Sequence, residues 1–153
     1  MRTYEKPPRP PMRAVFCSTE WFDDVDLIET IISRLPYGST VVADETTWPG
    51  SAALTVAELR GVGRESRPGL GASTINQADV LYVLVGDGAV EQVLSSLLEA
   101  DKASVRIRLF PESGFLPEPE EQAVIKSMLA MAAESSVSQS SPKVSSAESS
   151  LAP

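Results

Sequence analysis

Histidine is absent from the sequence, and cysteine occurs once, at Cys17. Without histidine the chain lacks the commonest general base and the commonest metal ligand, so histidine-dependent triads and ordinary zinc centres are excluded. A lone cysteine rules out an internal disulfide framework. No run approaches the roughly 18 consecutive apolar residues of a membrane span. The first eleven residues carry three basic side chains but no apolar stretch of the kind a secretory signal needs. A soluble cytoplasmic protein, without membrane association, is the expectation. No internal repeat with a period of about 20 to 50 residues is present, which excludes solenoids and propellers. The spacing G-x-G-x-x-G is missing as well, and neither a metal nor a cofactor is expected.

Positive charge is in short supply. Against 21 acidic residues there are 13 basic ones, a formal net charge of −8. Binding to nucleic acid in general depends on many Lys and Arg contacts that release counterions, so nonspecific nucleic-acid binding is not expected. Residues 12–134 hold nine basic and nineteen acidic side chains, a net of −10, so the acidity belongs to the core. Such a surface suits a basic protein partner, and a homo-oligomer is the other partner considered.

With 153 residues the chain accommodates one ordinary domain with extensions. Residues 1–11 read as a flexible proline-rich arm. In residues 135–153, nine of nineteen positions are serine and none is aromatic, so burial cannot offset the entropy of ordering, and a disordered tail is predicted.

Between these ends, strand and helix patterns alternate. Arg13–Cys17 is a short apolar run. Asp23 or Asp24 can cap a helix with Val25, Leu27, Ile28, Ile31, Ile32 and Leu35 at helical spacing, stopped by Pro36 and Gly38. Residues 39–43 repeat the strand pattern, and residues 51–59 read as helix. After a loop from Gly61 to Thr74, a short helix is expected over 72–77. Residues 79–85, DVLYVLV, form the most hydrophobic segment and the best central strand. A helix carrying Val90, Val93, Leu94, Leu97 and Leu98 follows, then an alternating strand over 105–110 and a last helix over 118–134. This succession predicts an α/β fold, an open Rossmann-like, mostly parallel sheet of four or five strands with helices on both faces.

Ligands of such sheets sit at the carboxyl ends of the strands, which selects four loops. In the first, Ser18 could hold a phosphate and Trp21 stack a base, or Trp21 and Phe22 could simply cover the core. In the second, Trp48, Gly50 and Ser51 stand where a phosphate cradle precedes a helix. The third concentrates four glycines with Arg64 and Arg67, and is the preferred anion site, unless Glu65 neutralises an arginine in a merely flexible loop. In the fourth, Gly86 and Gly88 would let a ribose approach, while Asp87 and Glu91 could accept sugar hydroxyls or act as general bases. Cys17 is assigned no catalysis.

Several of these residues carry a resemblance. Ser18, Trp21 and Asp23 after the first strand, Leu35-Pro36 at the helix end, Val41-Val42 leading to Gly50 and Ala53, Ala78-Asp79-Val80, and Gly86-Asp87-Gly88 together resemble the SLOG superfamily, the Rossmann-like group of DprA-type and LOG-type proteins, and in particular its small stand-alone members. The resemblance spans Arg13 to about Phe110. It implies binding of a nucleotide or nucleotide-derived ligand; LOG-type members hydrolyse the bond between a base and ribose monophosphate, which would cast Glu91 or Asp87 as catalytic. The sequence departs from the family where G-G-A-R-G-A-D is replaced by Glu45-Thr-Thr-Trp-Pro-Gly-Ser51, where an Arg-Asn pair is replaced by Leu70-Gly71, and where P-G-G-x-G-T-x-x-E is reduced to Gly86-Asp87-Gly88 with Glu91. Three readings follow: a nucleotide-type ligand binder, a noncatalytic protein-interaction module, and a nucleoside-monophosphate glycosidic-bond hydrolase.

Overall fold

The computed structural model describes the backbone of residues 9–112 and 115–151, and the side chains of residues 9–112 and 115–134. Most of the proline-rich arm and the last two residues of the serine-rich tail lie outside the described residues.

Five strands form one sheet, all parallel: β1 (Arg13–Ser18), β2 (Thr40–Ala43), β3 (Gly63–Ser66), β4 (Val80–Val85) and β5 (Arg106–Pro111), in the order β3-β2-β1-β4-β5. Five helices connect or follow them: α1 (Val25–Ser33), α2 (Trp48–Leu59), α3 (Ala72–Asn76), α4 (Glu91–Lys102) and α5 (Glu118–Leu151). The fold is the α/β Rossmann-like arrangement that the alternating pattern predicts.

Alternation along β1 divides the core. Ala14 and Phe16 face α1 and α2, while Val15 and Cys17 face α3, α4 and α5. A parallel strand covered on both faces must be apolar at successive positions, and β1 and β4 are apolar for that reason. Helix α1 starts at Asp24, whose carboxylate accepts from Leu27 N at 3.1 Å, and buries Leu27, Ile28, Ile31 and Ile32 along one stripe. Each such side chain contributes about 1.5–3 kcal/mol relative to exposure.

Three details differ from the sequence expectation. The loop 61–74 contains β3, which pairs with β2 from Thr40↔Gly63 to Ala43↔Ser66. Being an edge strand, largely exposed, it carries Arg64 and Glu65 instead of an apolar run. Helix α2 begins at Trp48, not Ser51, because the Thr47 hydroxyl caps it and Pro49 suits a first turn that needs no N–H from it. Finally, the α5 backbone continues as helix to Leu151, where disorder is predicted from 135. Its beginning is anchored by Glu121, a buried carboxylate that accepts from Leu109 N and Arg108 Nε, both at 3.3 Å. Adding turns to an anchored helix costs far less than starting one, and the backbone stays helical through Pro142, which withholds one hydrogen bond.

Candidate functional site

The sheet order reverses at β1: β2 and β3 extend to one side, β4 and β5 to the other. In open sheets of this kind the loops leaving the two strands at the reversal generally diverge and leave a crevice between them. Here backbone hydrogen bonds stitch the loops after β1 and β4 together. Thr19 N donates to Leu84 O at 3.0 Å, Glu20 N to Ala89 O at 3.1 Å, and Trp21 N to Asp87 O at 2.8 Å. Gly86 N donates to Thr19 Oγ1 at 2.8 Å. The first and fourth loops thus form one continuous wall.

The second loop forms the facing wall, and its shape depends on Asp44. This buried carboxylate accepts from Thr46 N (2.9 Å), Thr46 Oγ1 (2.5 Å) and Gly69 N (2.9 Å), and also from Gln92. Burial works against its ionisation, but the hydrogen bonds from Thr46, Gly69 and Gln92 prevail and hold its carboxyl below the usual range. Asp44 thereby ties β2, the segment before α3, and α4 to one another. Gly50 permits this packing, because a β carbon there would collide with the Asp44 carbonyl.

Between the walls lies an open cleft of about 530 Å3, lined by Ser18, Glu20, Trp21, Thr46, Thr47, Trp48, Ala89, Glu91 and Gln92. The loops after β1, β2 and β4 converge on it. Beneath it, a recess bordered by Ser18, Asp44, Thr47, Gly50 and Gln92 is too narrow for a water molecule.

Of the residues expected at a site, Ser18, Trp21, Trp48 and Glu91 line the cleft. The two readings of the first loop divide between neighbours: Phe22 is fully buried in the core, whereas Trp21 is 63% exposed on the cleft. Trp48, 52% exposed, borders the cleft without plugging it. Gly88 (φ +97°) seats Trp21, since a β carbon there would fall 2.5 Å from its Cδ1. Gly50 lines only the recess, and Ser51 lines neither space. Gly86 lies against the side chain of Glu112, whose Oε1 accepts from Asp23 N at 3.1 Å. The Asp87 side chain does not border the cleft; its carbonyl is spent on Trp21.

Arg64 and Arg67 stand apart from the cleft. Arg64 pairs with Glu58 at 2.9 Å and Arg67 with Glu65 at 2.7 Å, and neither lines the cleft. Glu65 also takes Arg13, and the two guanidiniums hold its carboxyl below the usual range. Leu70 is buried against the α3 side of the sheet with φ +43°. Cys17 is buried and inert; burial pushes its thiol up to about 12, despite a hydrogen bond with Ser96.

Sequence reasoning missed Glu20, Thr46, Thr47, Ala89 and Gln92 in the lining, and Asp44 beneath it. Thr47 was the findable one, as a cap three residues before Gly50. Chemically, the cleft presents two indoles, three hydroxyls, two carboxylates and the start of α4. Val90 caps α4 without a side-chain hydrogen bond, so the first N–H groups of that helix have no side-chain acceptor among the described residues. No Lys or Arg lines the cleft among the described residues. Nor does any group of three or more potential metal-ligating side chains gather among them.

No family model, curated protein or solved structure matches the chain. Among the described residues no helix is long and apolar enough to cross a membrane.

Proposed function

We propose that the chain binds a nucleotide-derived ligand of low charge in the rim cleft, its flat base stacked on Trp21 or Trp48. The observation that carries this reading is the convergence of the loops after β1, β2 and β4 on one open space that includes both tryptophans of the chain. Indole faces stack on any aromatic base, at about 1–3 kcal/mol per base. Glu20, Glu91 and the Thr and Ser hydroxyls supply acceptors for sugar hydroxyls and exocyclic amines. The resemblance to the SLOG superfamily supports the same ligand class.

Electrostatics set the preference within that class. With Glu20 and Glu91 on the rim and no cationic side chain in the lining, each added phosphate meets repulsion that the N–H groups of α4 only partly offset. Nucleosides and monophosphates are favoured over triphosphates.

Thermal unfolding across nucleosides, mono-, di- and triphosphates and an ADP-ribose-type compound tests the proposal. A bound ligand at about 100 times its Kd adds roughly 2.7 kcal/mol, a clear rise in Tm. The expected order is falling stabilisation with added phosphate. Absence of any saturable shift across the panel would refute the reading, and tightest binding by triphosphates would refute its electrostatic part.

A further inference from the structure

A second cavity, on the face of the sheet that carries α1 and α2, shares no residue with the cleft. Those are the helices of this face among the described residues, and past α1 the sheet continues over β4 and β5 as an aromatic row. Phe16 and Tyr82 lie 5.0 Å apart between ring centres, Tyr82 and Phe110 5.9 Å, and Phe110 and Phe115 5.6 Å with an edge-to-face crossing. The row borders a pocket of about 530 Å3 lined by Arg9, Ile31, Arg34, Tyr82, Phe110, Phe115 and Arg108. Its charge is the reverse of the cleft's. Among the described residues three guanidiniums and no carboxylate line it, in a chain whose formal net charge is −8.

The donors are arranged for an oxyanion. Arg34 sits over the Phe115 ring at 5.8 Å and Arg108 over the Phe110 ring at 5.3 Å. Stacking occupies the flat face of a guanidinium and leaves its in-plane N–H groups available. Arg108 gives Nε to Glu121, which leaves its two terminal amino groups without a hydrogen bond among the described residues. Arg9 donates one Nη to the backbone carbonyl of Arg34 at 2.6 Å, which ties its side chain to the end of α1, and neither arginine has a carboxylate partner among the described residues. Phe115, 55% exposed, leaves aromatic surface open beside them.

We infer that this pocket is a binding site for a small aromatic oxyanion, with the ring laid against Phe115 and Tyr82 and the anionic group met by Arg34, Arg9 and Arg108. Size and charge favour a compact ligand over a nucleic-acid strand: the positive patch is local, and a longer polyanion would run onto an acidic surface.

Titration of the full chain with phenyl phosphate, followed by amide NMR shifts, tests the inference. Saturable shifts are expected at Arg34, Tyr82, Phe110 and Phe115. Inorganic phosphate and benzyl alcohol, each carrying half of the chemistry, should bind at least about tenfold more weakly. Arg34→Gln and Phe115→Ala alter exposed side chains and should each weaken phenyl phosphate by a similar factor, whereas Trp48→Ala in the cleft should leave it unchanged. Any of four results would overturn the inference: no saturable shift in the millimolar range, equal binding of inorganic phosphate, loss of binding in Trp48→Ala, or oligonucleotide affinity that grows with strand length. None of these bears on the rim cleft except the third, which would transfer the ligand to it.

Discussion

The backbone N–H of Trp21 donates to the carbonyl of Asp87 at 2.8 Å, joining the loop after β1 to the loop after β4 across the point where the strand order reverses. This bond turns two separate turns into one wall of the cleft, and it places an exposed indole on that wall. Elsewhere along the same seam Gly88 accommodates the indole by having no side chain.

Gly88→Ala should therefore disturb the seam twice, through a left-handed φ of +97° and through the collision with Trp21. A loss of about 1–3 kcal/mol is expected from urea unfolding. The fluorescence of the folded variant should also shift, because Trp21 must move. An unchanged midpoint with an unchanged spectrum would show that the two loops are not coupled as described.

Asp44 sets the acid sensitivity of the cleft. Its carboxyl titrates below its ordinary value of 3.8 in the folded chain, so its stabilising contribution is present above that value and is lost as pH falls through the lower folded pKa. Asp44→Asn removes an acceptor for Thr46 and Gly69 and should cost about 1–3 kcal/mol near neutral pH. The variant should lose less further stability than the parent below about pH 4. Parallel acid unfolding curves would contradict this account.

Cys17 gives a probe of the β1 core. With its thiol pushed up to about 12, it stays protonated and buried, so a thiol reagent at mildly alkaline pH should label it only through unfolding. The sign is opposite to that of Asp44: the neutral thiol favours the folded chain below the unfolded value, and this is lost as pH rises toward 12. Labelling should accelerate across the urea transition. Rapid labelling of the native chain would place Cys17 at a surface.

The sheet was legible because its central strands must be apolar on both faces, as residues 80–85 are. Edge strand β3 was not, since Arg64 and Glu65 occupy a strand bonded on one side only, and such a segment reads as a loop. The start of α2 was hidden for a different reason: Trp48-Pro49-Gly50 resembles turn punctuation, and only the Thr47 cap distinguishes a first helical turn. At the site, the loops were legible from strand order, but the residues within them less so. Arg64 and Arg67 suggested an anion site by composition, yet each found a carboxylate nearby. Asp44 drew no notice because its partner Gly69 lies 25 residues away, a pairing that exists only after β2 and the segment before α3 are brought together.

The most direct test of the central claim uses the two tryptophans as reporters, since both border the cleft and no others exist. Titrating the chain with adenosine should quench their emission along a saturable curve, with Trp48→Ala weakening the midpoint by about tenfold, the worth of roughly one lost stacking contact. Emission that stays constant for nucleosides and nucleotides alike, in a chain whose circular dichroism shows the α/β fold intact, would contradict the account.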